Sequence, residues 1–165
     1  MDETGAYDSI KPRLQALGLD PQRVEDVTSR GTPDVWYTVG AIEMKYLPAW
    51  PVRMNTPVRV STLIDRPQQV AWLTRRWTKG GPAWLMLRVA NQYFLFTGVD
   101  SRLVRKGLIR ANLERLAVWR TDETGRGDWD ALRNWLTWNL EGLNMLDRER
   151  LSAERSRVPP RLHLI

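Results

Sequence analysis

The sequence has no cysteine and only one histidine, His163, close to its C-terminus. The lack of cysteine excludes disulfides, zinc–thiolate sites, iron–sulfur clusters and cysteine nucleophiles. A single histidine argues against a histidine-based catalytic triad and against a multi-histidine metal site. Any catalytic chemistry is therefore expected to use other side chains.

Long hydrophobic runs are also missing. No apolar stretch approaches the ~18 residues that a membrane-spanning helix needs. The polar, acidic start of the chain is not that of a signal peptide, so we expect a cytoplasmic protein without a membrane partner. The 165 residues are 42% hydrophobic and 27% charged, a composition typical of a folded domain with one core.

Positive charge is unevenly distributed. The net charge is +6, and residues 119–165 contain 8 basic and 8 acidic residues, so the excess lies in residues 1–118. Between residues 53 and 79 one acid, Asp65, accompanies six basic residues. These are Arg53, Arg59, Arg66, Arg75, Arg76 and Lys79. This segment favours a polyanionic partner such as nucleic acid, although a solubilising basic face has the same composition.

Hydrophobic periodicity and Gly/Pro breakers predict an alternating order of helices and strands. This order is typical of an α/β or α+β domain over residues 1–118, followed by a helical C-terminal extension over residues 119–165. The predicted helices are 8–17, 66–79, 108–117 and 129–140, and the predicted strands are 34–38, 41–45, 83–89 and 92–97. The stripe of apolar residues in helix 129–140 is expected to pack either on the chain's own core or against a second copy.

Two carboxylates and one ammonium group are expected to converge at one sheet edge. Glu43 and Lys45 lie two residues apart in a predicted strand, so they face the same side. If strands 34–38 and 41–45 form a hairpin, Asp34 lies beside them. Two neighbouring carboxylates repel each other, and a divalent cation relieves that repulsion. Such a cation, with a nearby lysine, is suited to hydrolysis of a phosphodiester.

These residues also carry a family resemblance. Pro33-Asp34 followed by Glu43-Met44-Lys45 resembles the signature of the PD-(D/E)xK nuclease superfamily. The stretches 31–35 and 42–48 are similar to the branch that contains Holliday-junction resolvase-like and VRR-NUC-type nucleases, many of them phage-encoded. The resemblance covers residues 8–100. It implies a restriction-endonuclease-like fold, in which a mixed β-sheet is flanked by helices.

The resemblance also implies roles for individual residues. Asp34 and Glu43 would bind Mg²⁺, or Mn²⁺ in its place, with the main-chain carbonyl of Met44 as a further ligand. Lys45 would be the catalytic cation. Gln69, on the helix that follows the motif, would orient substrate or water.

The family also has an acid on its first helix. Asp8 is the first choice for that acid, with Glu3 and Glu25 as competitors. The function implied is a Mg²⁺-dependent endonuclease acting on branched or structured DNA, working as a homodimer if it makes paired incisions. For a phage protein the location would be the host cytoplasm.

Other interpretations of the same residues stay open at the sequence level. Asp34 could be a turn residue, Glu43 and Lys45 a solvent-exposed ion pair, and Gln69 an ordinary surface residue. The protein could instead be a flap or single-strand-end nuclease. It could also be a catalytically silent nucleic-acid-binding module on the same fold.

Overall fold

A computed structural model describes residues 2–24 and 31–137 of the chain. They form a mixed α/β structure in which a sheet is flanked by helices and followed by a C-terminal helix, which confirms the predicted fold class. The helices are α1 (Glu3–Ala16), α2 (Ser61–Asp65), α3 (Pro67–Thr78), α4 (Ser101–Lys106), α5 (Arg110–Leu116) and α6 (Trp129–Thr137). The strands are β1 (Gln22–Arg23), β2 (Val35–Tyr37), β3 (Gly40–Leu47), β4 (Ala83–Val89), β5 (Gln92–Thr97) and β6 (Trp119–Arg120).

The six strands lie side by side in sequence order. β3 and β4 are parallel, and all other neighbouring strands are antiparallel. A parallel pair requires a crossover connection, and α2 and α3 provide it between β3 and β4. This crossover places α3 over the sheet beside the strand that carries Glu43 and Lys45.

Both faces of the central sheet are covered. α1 and α6 pack on one face, where Ile10 and Leu14 meet Ile42 and Met44 of β3. The crossover helices α2 and α3, together with α4 and α5, pack on the other face. Because both faces are buried, β4 and β5 are continuous apolar runs rather than alternating ones.

The boundary predicted after Val118 falls inside this structure. β6, which begins at Trp119, pairs with β5. Leu132 and Leu136 of α6 are fully buried in the same core as α1. Residues 119–137 therefore contribute to the same sheet and core as the described residues before them. Residues 138–165, with the end of the predicted helix 129–140 and His163, lie outside the described residues.

Short elements are where the sequence-based prediction was incomplete. It did not identify β1, β6, α2 or α4, each of two to six residues. It placed the start of the first helix at Asp8, five residues late. None of the helices in the described ranges combines the length and the hydrophobicity needed to cross a bilayer.

Candidate functional site

Asp34, Glu43 and Lys45 lie just beyond the end of the pairing between β2 and β3. β2 pairs with β3 from Val35 opposite Ile42, and Asp34 immediately precedes that pair. This register places the Asp34 carboxyl group next to Glu43. Glu43 and Lys45 alternate with Ile42 and Met44 along β3, so they project from the face covered by α3.

Glu43 and Lys45 are buried, with 0% and 1% of their surface exposed. The interpretation that they form a solvent-exposed ion pair on a strand is therefore wrong. Lys45 Nζ lies 2.6 Å from Glu43 Oε1 and 3.3 Å from Glu3 Oε1. The shorter contact is an ion pair between two buried groups. Burial of two charges is costly, so this pair is not explained by stability alone.

Glu3 reaches the site from the first turn of α1. Its Oε1 accepts a hydrogen bond of 2.9 Å from the hydroxyl of Thr62 on α2. The side chain of Asp2 caps the helix by accepting a bond from the amide of Gly5. Glu3 is thus held between two elements while its carboxylate faces Lys45.

Gln69 enters the site from the first turn of α3. Only 3% of its surface is exposed, so it is not a surface glutamine. Gly31 lets the segment before Asp34 approach this turn closely. A Cβ at Gly31 would come within 2.8 Å of the main chain of Gln68, and the φ of +98° also disfavours other residues there.

Unpaired polar atoms concentrate at this point of the molecule. Buried polar atoms normally find a hydrogen-bond partner, because an unpaired one costs about 1–3 kcal/mol. Five buried side-chain atoms within the described ranges have none. They are Asp34 Oδ2, Glu43 Oε1 and Oε2, Lys45 Nζ and Gln69 Oε1. All five belong to the four residues that the sequence motif singled out, and two of them, Lys45 Nζ and Glu43 Oε1, form an ion pair with each other. The acceptors that remain, on Asp34, Glu43 and Gln69, are the atoms that an external ligand could satisfy.

Burial raises the pKa of both motif carboxyl groups. Burial raises the pKa of Glu43 to about 8, with the Asp34 carboxylate adding to the rise and Lys45 opposing it. Burial also raises the pKa of Asp34, again against the effect of Lys45. For Lys45, burial lowers the pKa, but Glu43, Glu3 and Asp34 together outweigh it, and the net shift is upward. Lys45 therefore remains a cation, while burial favours the neutral form of Glu43 when no metal is present.

The donor set fits a hard divalent cation. Mg²⁺ is usually held by one or two carboxylates, with further oxygens from waters and substrate. Asp34 and Glu43 supply two carboxylates with unpaired oxygens. Met44 is buried on the opposite face, so only its main-chain carbonyl could contribute. In the described part of the chain no group of three or more acidic or histidine side chains is arranged as a ready-made metal site. A metal here would therefore depend on additional oxygens.

The structure places Glu3, and not Asp8, beside the motif. Asp8 is exposed on α1, whereas Glu3 contacts Lys45. The helix phase explains the difference. Glu3 continues the face that buries Tyr7, Ile10 and Leu14, and Asp8 does not. Glu25 lies outside the described residues. The spacing 3–7–10–14 is the signal that could have identified Glu3 from the sequence.

The basic residues divide into two groups. Arg53, Arg59 and Arg66 are exposed on or next to the segments that connect β3, α2 and α3. The second group surrounds the C-terminal half of α3, where Trp72 contacts Trp36 of β2 at 5.8 Å between ring centroids. The Arg76 guanidinium lies over the Trp72 ring. The residues Trp72, Arg75, Arg76, Lys79, Gly80 and Gly81 line an open depression of about 410 Å³.

Comparisons of the chain with protein-family models, with curated proteins and with solved structures found no match.

Proposed function

We propose that this protein is a Mg²⁺-dependent deoxyribonuclease of the PD-(D/E)xK type that hydrolyses phosphodiester bonds in branched or structured DNA. One observation carries the proposal. In the described residues, the buried side-chain atoms without hydrogen-bond partners all come from Asp34, Glu43, Lys45 and Gln69. Lys45 Nζ and Glu43 Oε1 form an ion pair with each other, but Asp34 Oδ2, Glu43 Oε2 and Gln69 Oε1 accept no hydrogen bond. A merely structural polar cluster would be expected to satisfy these acceptors, because unpaired buried atoms are costly.

Each side chain has a role that its position supports. Asp34 and Glu43, with the Met44 carbonyl, would hold the cation. When bound, Mg²⁺ would offset negative charge on the phosphate and lower the pKa of a nearby water. Lys45 holds its proton at Nζ and stabilises the charge that develops on the phosphoryl oxygens. Gln69 presents an unpaired Oε1 that can orient a water by accepting a hydrogen bond from it.

Glu3 acts as a second anion beside Lys45. Together with Glu43 it offsets the ammonium charge and limits the positions that Nζ can take. The exposed cations around α3 support DNA as the substrate, because phosphate contacts dominate the affinity of nucleic-acid binding. A cytoplasmic location and a homodimer belong to this proposal as well.

A substrate panel tests the proposal directly. A four-way junction, a flap, a duplex and a single strand are incubated with the protein in Mg²⁺, Mn²⁺ or Ca²⁺, and products are resolved on denaturing gels. We expect cleavage in Mg²⁺ or Mn²⁺, with the junction or flap preferred. Asp34→Asn and Glu43→Gln should each lower the rate by about 100-fold or more, since each removes an anionic metal ligand.

Asp8→Asn is the matched control, because it removes an exposed acid from α1. It should cleave at the wild-type rate. Full activity of Asp34→Asn and Glu43→Gln at equal metal concentration would remove both residues from the active site. Binding of the panel without cleavage in any metal would identify the chain as a silent binding module. Preference for free ends over the junction would favour a flap or single-strand-end nuclease.

A further inference from the structure

A second open depression lies on the other side of α3, between α3 and α4. Its volume is about 490 Å³. Three apolar residues and one threonine of α3 form its floor, and four cations surround them. The lining residues are Pro67, Val70, Ala71, Thr74, Arg75, Arg102, Arg105 and Lys106. No acid contributes to the lining, and the sequence pattern had not indicated the three cations of residues 102–106.

Three of the four cations of this α3–α4 groove, Arg75, Arg102 and Lys106, are exposed. Arg105 is oriented by hydrogen bonds to the carbonyl oxygens of Leu63 and Ile64 at 3.3 and 3.0 Å. Arg102 and Lys106 are exposed on α4. The ion pairs found among the described residues do not include Arg75, Arg102, Arg105 or Lys106. Like charges gathered around an apolar floor repel each other, and an anionic ligand would relieve that repulsion.

The groove and the depression on the site-facing side of α3 share one lining residue, Arg75. Successive residues of an α-helix are rotated by about 100°. Gln69, Trp72 and Arg76 therefore lie on one flank of α3, while Pro67 and Thr74 lie on the flank toward α4. Arg75 projects between the flanks and lines both depressions. Arg75 thus lies between the flank that carries Gln69 and the cations of α4.

We infer that the α3–α4 groove binds the phosphodiester backbone of a nucleic-acid strand that extends from the candidate site. The inference rests on the proposed function, because it assigns a path to the same substrate. The charge of the lining matches a polyanion. The part of α3 that lines the groove, from Pro67 to Arg75, extends over about 13 Å, long enough for consecutive phosphates of one strand. The apolar floor can pack against sugars, which carry no charge. An acidic peptide is the competing occupant.

The test compares two double variants that each remove two positive charges. Arg102→Ala with Lys106→Ala changes the groove and leaves Arg105, which holds α2, in place. Arg115→Ala with Arg126→Ala is the matched control, since both residues are exposed and neither lines the groove. Binding of labelled single-stranded and duplex oligonucleotides is measured in Ca²⁺ from 50 to 300 mM salt. Circular dichroism and thermal unfolding confirm that both variants fold.

For the groove variant we expect the slope of log affinity against log salt to become shallower by about one to two, since each lost phosphate contact removes roughly 0.7 to 0.9. The slope for the control variant should change by less than half as much as the slope for the groove variant. An equal decrease in slope in both variants would overturn the inference, because the loss of net charge would then explain it. An unchanged slope in the groove variant would overturn it too, as would wild-type protein that binds no oligonucleotide.

Two further outcomes separate this inference from the proposed function. If wild-type protein cleaves DNA but the groove variant keeps its slope, the groove assignment fails and the nuclease proposal stands. If wild-type protein binds without cleaving and the groove variant loses slope, the groove assignment stands and the nuclease proposal fails. A poly-glutamate peptide is tested in parallel. Binding of that peptide that depends on Arg102 and Lys106, without an effect on oligonucleotides, would assign the groove to an acidic partner instead.

Discussion

Glu43 is the residue at which stability and function oppose each other. It is fully buried next to another carboxyl group, and its pKa is raised to about 8. In the folded protein it keeps its proton well above the value of 4.5 at which an exposed glutamate releases it. A neutral Glu43 cannot hold a cation strongly, so metal binding is expected to release a proton and to strengthen as the pH rises.

This shift predicts how stability depends on pH without metal. Between about pH 4.5 and pH 8 the folded state binds a proton at Glu43 that the unfolded chain has released. Stability therefore falls as the pH rises through this window. The raised pKa of Asp34 acts in the same direction. Glu43→Gln cannot ionise, so at pH 8 in EDTA it should exceed the wild type by up to a few kcal/mol, with little difference near pH 4.5.

Urea unfolding at several pH values between 4.5 and 8 measures this difference. Asp8→Asn serves as the control, because Asp8 is exposed. Saturating Mg²⁺ should stabilise the wild type and leave Glu43→Gln largely unaffected. A Glu43→Gln variant that is less stable than the wild type at pH 8 would show that ionised Glu43 does not destabilise the metal-free protein.

At the scale of elements, the site depends on the phase and length of α1. The helix begins at Glu3, and its buried face contains Ala6, Tyr7, Ile10 and Leu14. One turn before Tyr7, the same face carries Glu3 to Lys45. The segment after β3 returns as α2 and supplies the Thr62 hydroxyl that holds Glu3. Three elements distant in sequence thus set the position of one ammonium group.

Glu3→Gln isolates the charge of this contact. Gln keeps an oxygen that can accept the bond from Thr62, but it removes the anion 3.3 Å from Lys45 Nζ. We expect a loss of about tenfold or more in the cleavage rate at saturating substrate, with substrate affinity little changed, because Lys45 would be less well positioned in the transition state. Single-turnover kinetics, with binding measured separately in Ca²⁺, distinguishes these two effects.

Asp8→Asn again provides the comparison, since it changes an acid of the same helix that lies away from the site. Equal rate losses in Glu3→Gln and Asp8→Asn would assign the effect to helix α1 in general. A loss confined to Asp8→Asn would restore the sequence-based choice of Asp8 as the first-helix acid.

At the scale of the whole molecule, the C-terminal part of the described chain closes the core. β6 adds an edge strand to β5, and the indole of Trp119 donates a hydrogen bond of 2.6 Å to the carbonyl of Asp128. The hydroxyl of Tyr37 on β2 donates to the carbonyl of Leu136 on α6 at 2.7 Å. Strand β2 of the site hairpin is therefore tied to α6. The described apolar residues of α6 therefore pack on the core of the same chain. A homodimer remains a prediction.

Leu132→Ala tests whether α6 unfolds together with the rest of the described structure. Leu132 is fully buried, so its truncation should cost about 2–5 kcal/mol and lower the melting temperature by roughly 5–15 °C. Because residues 119–137 share one core with α1 and β3, the whole structure should unfold in a single, shifted transition. Tryptophan fluorescence and far-UV circular dichroism should report the same midpoint.

The exposed neighbour Asn134→Ala is the control and should stay within about 0.5 kcal/mol of the wild type. An early, separate transition in Leu132→Ala, with the remaining structure unchanged, would mean that α6 is an independent appendage after all.

The sequence by itself determined the long strands and the motif. β4 and β5 were predicted with their observed bounds, because long apolar runs separated by a two-residue turn have few alternative structures. The spacing of Asp34, Glu43 and Lys45 placed all three at one hairpin, since hairpin register and strand alternation are local properties. The phase of α3 likewise placed Gln69, Trp72 and Arg76 on one flank.

Only the tertiary structure decided what surrounds the motif. That Glu43 and Lys45 are buried follows from helices covering both faces of the sheet, which no local pattern specifies. The choice of Glu3 over Asp8 depended on where α1 begins and on its contact with Thr62, 59 residues away. The α3–α4 groove joins side chains from two helices separated by β4 and β5. Such contacts between distant segments form because packing, and not proximity in sequence, determines which side chains meet.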